Sequence, residues 1–127
     1  MKTALFLVIL TTLSRMALAQ QAVSTTDFAQ KLAATPQAQL VDVRTPEEFG
    51  KGHLKAARNI DYRSDQFAVM AAKLDKSRPV FVYCQVGGRS RAAANWLNKQ
   101  GYKTVYELKG GFADWSAAGF PVDAQKP

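Results

Sequence analysis

The sequence predicts an α/β domain of three layers, a mostly parallel sheet covered by helices on both faces. Three observations carry that expectation. Segments with strand character alternate with segments of helical spacing along the chain, a pattern that implies right-handed crossovers between parallel strands. Residues 80–83 form an unbroken apolar run, VFVY, of the kind found in strands buried on both faces. That run leads through Cys84 into a short glycine-containing loop and directly into a helical pattern.

Each element has a local reason. Ser24 and Asp27 stand in capping-box spacing ahead of Phe28, Leu32 and several alanines, which predicts an amphipathic helix ending near Thr35-Pro36. Residues 39–44 read as a short buried strand. Thr45-Pro46-Glu47-Glu48 then starts a helix, with threonine at the cap, proline at the first helical position and glutamate three on. Gly50 and Gly52 close it. Residues 56–60 can form another brief strand, and residues 66–74 carry helical spacing in Phe67, Met70 and Leu74. After the loop that follows Cys84, residues 90–100 are rich in helix formers, with Ala93, Ala94, Trp96 and Leu97 available for packing and Gly101 as the stop. Residues 104–108 make the next strand, and residues 112–118 a short last helix closed by Gly119 and Pro121. In such sheets reactive groups gather beyond the carboxyl ends of the strands, where Cys84 falls and which Asp42 and Arg44 approach.

The N-terminus reads as an address. Lys2 supplies a positive end, residues 4–13 an apolar stretch, and Ala17-Leu18-Ala19 an A-x-A cleavage signal. Residues 1–19 are therefore expected to be a signal peptide, with a periplasmic destination. The apolar stretch is too short to span a bilayer, and the mature form carries no other candidate span. Cleavage after Ala19 removes Lys2 and Arg15 and lowers the net charge from +7 to about +5. Residues 20–127 then make one domain, expected to be a monomer, large enough to bury a core without disulfides.

Composition also excludes chemistries. The single cysteine cannot form an internal disulfide, so it is either buried and inert or exposed and reactive. With His53 the only histidine, a Cys/His zinc site within the chain is excluded, and no metal or cofactor is expected. Lysines and arginines are scattered rather than clustered with aromatics, which argues against nucleic acid. The surplus favours small anions or serves only solubility.

Cys84 has the placement of a nucleophile. A strand ending in a small-residue loop that opens a helix points backbone N–H groups and the positive end of the helix dipole at the loop, which favours a thiolate. Gly87 and Gly88 permit the backbone angles that would curl such a loop around an anion.

Three blocks of residues, in order, resemble the rhodanese family of single-domain sulfurtransferases. The first is Leu40-Val41-Asp42-Val43-Arg44-Thr45-Pro46-Glu47-Glu48-Phe49 with Gly52-His53-Leu54, Ala56-Ala57 and Asn59-Ile60 after it. Cys84 to Ser90 fits the C-x-x-G-x-R-S form of that family's active-site loop. The third block is Gly110-Gly111-Phe112, Trp115, Gly119 and Pro121-Val122. With its leader the chain is similar to the small exported rhodaneses of the phage-shock type.

The resemblance implies a rhodanese-like fold with a five-stranded central sheet, and a Cys84 that accepts the outer sulfur of a small anionic donor such as thiosulfate. The persulfide then passes this sulfur to cyanide or a thiol. Gln85, Val86, Gly87, Gly88, Arg89 and Ser90 would form the substrate-binding loop, with Arg89 holding the donor or else bonding loop carbonyls or Asp42. Asp42 and Arg44 would brace the loop. His53, Phe112 and Trp115 are expected to be structural, Glu48 to serve the helix cap, and Arg91 to contribute field. Rhodaneses active on thiosulfate often carry a basic residue directly after the cysteine, whereas Gln85 and Val86 stand here. A protein persulfide or another thiol-bound donor fits such a lip nearly as well. Two other functions compete. Phosphatases and arsenate reductases on related domains place arginine at the sixth position after the cysteine, while here arginine is already at the fifth, Arg89. An exported thiol redox or persulfide-binding module would use Cys84 without turnover.

Overall fold

A computed structural model describes residues 21–124; the expected signal peptide lies outside them. The central sheet has five strands, all parallel, in the order β1-β6-β5-β2-β4. These are β1 (Gln21–Val23), β2 (Gln39–Asp42), β4 (Arg58–Asn59), β5 (Val80–Tyr83) and β6 (Val105–Leu108). A separate antiparallel ribbon joins β3 (His53–Leu54) to β7 (Val122–Asp123). The helices are α1 (Thr25–Ala33), α2 (Pro46–Lys51), α3 (Phe67–Ala71), α4 (Gly88–Lys99) and α5 (Gly111–Ala117). None is long and apolar enough to cross a membrane.

β5 explains the layering. It is central in the sheet and buried throughout, and successive side chains of a strand point to opposite faces. Val80 and Val82 enter one core with Val41, Val43, Ala71, Ala93, Ala94 and Leu97, under α3 and α4. Phe81 and Tyr83 enter the other with Phe28, Leu40, Leu108 and Trp115, under α1 and α5. Phe28 meets Phe81 and Trp115 edge-on, with ring centroids 5.3 and 6.3 Å away, the geometry the aromatic quadrupole favours.

The caps agree with the sequence reading. Ser24 accepts from the Asp27 N–H at the start of α1, and Thr45 with Glu48 forms a complete capping box on α2. The strand expected at 39–44 stops at Asp42; the Val43 N–H still reaches Tyr83 O at 3.0 Å, and the Arg44 N–H then turns back to Asp42 Oδ1 at 2.9 Å. β1, β3 and β7 were not expected. They are only two or three residues long, and β1 is exposed on most of its length, so no apolar alternation marks them. α4 begins at Gly88, two residues before the expected start, since the Arg91 N–H already bonds to the Gly87 carbonyl.

Candidate active site

Cys84 follows β5 at the carboxyl edge of the sheet, and its residue is 1% exposed. Its sulfur is not in an inert apolar socket. Sγ accepts the Gly87 N–H at 3.0 Å and lies 3.3 Å from the Ser90 hydroxyl. Burial pushes the thiol up, but the Ser90 hydroxyl and the backbone N–H groups of Ser90, Gly87 and Val86 outweigh it, so the net shift is downward. The alternative posed by the lone cysteine, buried and inert or exposed and reactive, thus resolves into a third state: a buried sulfur held by donors.

The loop owes its shape to glycine at two places. Gly87 has φ +120°, a conformation that L side chains rarely adopt, and it turns the chain so that its N–H faces back onto Sγ. Gly111, with φ +62°, brings the start of α5 against the loop from below. A Cβ there would stand 2.5 Å from the carbonyl oxygens of Cys84 and Gln85. In its absence the Phe112 N–H donates to Cys84 O at 2.8 Å and the Ala113 N–H to Gln85 O at 3.1 Å. Gly111 of the third sequence block therefore acts on the loop, a role the sequence reading had not assigned to it.

Asp42 and Arg44 pair with each other beside the loop, and neither has a hydrogen bond to the sulfur among those of the described residues. Both are buried. The Arg44 guanidinium donates through Nε and Nη2 to the Asp42 carboxylate, with Nη2–Oδ2 at 2.7 Å, and Nη2 also reaches Gly52 O at 2.6 Å. Its remaining arm, Nη1, donates to Gln85 Oε1 at 3.2 Å, and its plane lies 4.3 Å from the Phe112 ring centroid. One planar cation thus ties β2, the end of α2, the loop and α5 together, a task suited to arginine's fork.

Arg89 is engaged too, with a partner the sequence reading did not name. Nη1 and Nη2 pair with Glu48 Oε1 and Oε2 at 2.7 and 3.0 Å. Asp42, the alternative partner considered for Arg89, is taken by Arg44. The Arg89 pairing pulls the Glu48 carboxyl down to about 2, so Glu48 serves both the cap of α2 and the first turn of α4. Val86 forms the outer lip and is 70% exposed. His53 stacks on Phe49 with centroids 3.8 Å apart, and its Nδ1 lies 2.9 Å from Phe49 O, a packing role as expected. Trp115 is core and its Nε1 donates to Pro121 O.

The residue that sequence reasoning missed is Glu107. It sits in β6, is 3% exposed, and accepts from the Ser90 hydroxyl at 2.9 Å. Its strand was legible but its burial was not: Glu107 shares a face with Val105 in a strand that lies between β5 and β1, and β1 was not expected.

Comparison with known proteins agrees with this geometry. A model of the rhodanese-like domain matches residues 24–118. Thiosulfate sulfurtransferase GlpE of Pseudomonas aeruginosa is 41% identical over 86 residues, which are 68% of this chain and 76% of that protein. The uncharacterized protein YqhL of Bacillus subtilis is 44% identical over 79 residues, 62% of this chain and 61% of that one, so the present chain spans under two thirds of it. The solution structure of the rhodanese-like domain of the Anabaena sp. Alr3790 protein superposes with a TM-score of 0.70 at 28% identity, covering 81% of this chain and 78% of that chain. With the matched region running from the cap of α1 to the end of α5 and enclosing the whole cysteine loop, the chain belongs to the family of rhodanese-like domains.

Proposed function

We propose that the protein is an exported sulfurtransferase that moves a sulfane sulfur from thiosulfate, or a related small anionic donor, through a persulfide on Cys84 to cyanide or a thiol. The observation that carries this reading is the Cys84 sulfur itself, buried yet surrounded by N–H and hydroxyl donors that favour its anion. A thiolate of lowered pKa suits attack on a sulfur whose leaving group is a stable anion. Sγ forms a bond to the outer sulfur of thiosulfate, the S–S bond of the donor breaks, and its electron pair leaves with sulfite. The outer sulfur becomes the anionic end of the persulfide. Attack on that sulfur by cyanide or a thiolate then breaks its bond to Sγ and returns the Cys84 thiolate.

The donors that favour the thiolate serve the persulfide for the same reason, since each is a hydrogen-bonding anion at the loop. Arg89, balanced by Glu48, adds field at the loop rather than a free cation. The exposed Val86 gives the lip itself no charge, which also admits thiol-bound donors. The leader and the relatives' name support export and sulfur transfer respectively. The test is intact mass after incubation of residues 20–127 with thiosulfate. Gain of one sulfur, lost to cyanide with release of thiocyanate and absent in Cys84→Ser, is expected; no gain with thiosulfate or with a persulfide donor would sink the reading.

A further inference from the structure

Ser90 Oγ carries one hydrogen and faces three acceptors: Glu107 Oε1 at 2.9 Å, Gly87 O at 3.2 Å and Cys84 Sγ at 3.3 Å. The hydrogen can serve only one of them at a time. If Glu107 is ionised, the charge-assisted bond to the carboxylate takes it, and sulfur can then bond Oγ only by supplying a hydrogen of its own, as a thiol. If Glu107 is protonated, the carboxyl donates to Oγ and the hydroxyl hydrogen is released to a thiolate. We propose that Glu107, acting through Ser90, shares a single proton with Cys84 and is thereby a positioning residue for its ionisation. In the exchange the S–H bond of Cys84 breaks as its proton passes to Ser90 Oγ, and the Ser90 proton passes to Glu107 Oε1. The serine is unchanged, and one proton has moved from sulfur to carboxylate.

Two further features fit. Glu107 is fixed by its strand, opposite Val82 of β5 and Ala22 of β1, neither of which titrates. Burial raises its carboxyl, against pulls from Ser90 and Arg91, while the thiol is lowered, so the two groups approach each other as proton acceptors. Of the other charges on elements packed against β6, Arg89 of α4 is paired with Glu48, Lys99 lies in the last turn of α4, Asp27 lies in the first turn of α1, and Lys31 of α1 stands over Tyr106 on the opposite face. Arg91 is thus the charge with a direct pull on Glu107.

The proposal rests on Cys84 being the reactive group of the proposed function, and its test separates the two. Thiolate absorbance and the carbon NMR shift of carboxyl-labelled Glu107, assigned by elimination with Glu47→Gln and Glu48→Gln at the two other glutamates of the chain, are followed against pH. The parent is expected to show the same two inflections in both signals, as groups coupled by more than about one unit do. Glu107→Gln should leave Cys84 a single inflection that lies about one unit or more below the parent's upper one, because a nearby negative charge is gone. Ser90→Ala should break the sharing and leave one inflection in each signal. Unshared single inflections in the parent, or a Glu107→Gln profile that overlays the parent, would overturn the proposal, and the parent's carboxyl signal decides it if a variant fails to fold. Sulfur loading by mass on the same samples reads the function independently. Shared inflections without loading refute the transferase only, and loading with unshared inflections refutes the proton sharing only.

Discussion

Replacing Gly111 by alanine tests whether the start of α5 shapes the cysteine loop. The new Cβ would lie 2.5 Å from two backbone oxygens, Cys84 O and Gln85 O, whereas real Cβ contacts essentially never fall under 3.0 Å. Backbone cannot rotate aside as a side chain can, so loop and helix must part by about half an ångström or more. Parting weakens the bonds from Phe112 N–H and Ala113 N–H, each worth about 1 kcal/mol. A left-handed φ of +62° adds about 1 kcal/mol for a residue with a Cβ. The expected loss is therefore about 3 kcal/mol, read as a fall in the urea midpoint at unchanged slope. Gly101→Ala is the control: it has φ +93° and nothing within 4 Å of its Cβ, so it isolates the backbone cost of about 1 kcal/mol. Because the displaced segment carries Cys84 itself, Gly111→Ala should also raise the pH at which the thiol ionises. A loss equal to that of Gly101→Ala, with the thiol titration unmoved, would refute this account of the third sequence block.

Two further outcomes follow from the ion pairs. Arg44→Ala leaves the buried Asp42 carboxylate uncompensated and should cost about 3–5 kcal/mol, whereas the double variant with Asp42→Asn should recover a large part of it; additive losses in a urea double-mutant cycle would contradict the brace. Glu48, with its carboxyl lowered from 4.5 to about 2, contributes stability that is present above pH 4.5 and is lost as pH falls toward 2. The pair is partly exposed, with side chains at 16% and 33%, so solvent screening reduces its worth to about 1 kcal/mol. The difference in stability between the parent and Glu48→Gln should shrink by that amount over this window, and a constant difference would show that Arg89 does not hold the carboxylate.

The legible parts of this protein were those with local causes. VFVY could only be a strand buried on both faces, and Thr45-Pro46-Glu47-Glu48 could only start a helix. The place of Asp42 and Arg44 near the strand ends was legible, while their pairing came only from the resemblance to rhodaneses. What escaped was set by contacts distant in sequence. Glu48 satisfies its cap within three residues, so nothing local betrays the partner 41 residues away in Arg89. Gly110-Gly111 reads locally as the hinge before a helix, and only the fold shows that Gly111 is small because the Cys84 carbonyl lies against it. β1, β3 and β7 depend on partners for their existence, since two or three residues carry no period.

The surroundings of Cys84 bear on how its anion is held. Arg44 would be the obvious cation to hold a thiolate, yet it is committed to Asp42 and Gly52. Arg89 is committed to Glu48. The stabilisation therefore rests on short hydrogen bonds from Gly87 and Ser90, supplemented by the fields of groups already neutralised by partners. Such bonds act within van der Waals range and out of bulk solvent, where mobile ions screen little. The downward shift of a thiol held in this way persists at high salt, and it is lost when the loop's backbone is displaced. Backbone position, through Gly87 above and Gly111 below, is consequently the variable that the rest of the fold controls at this thiol.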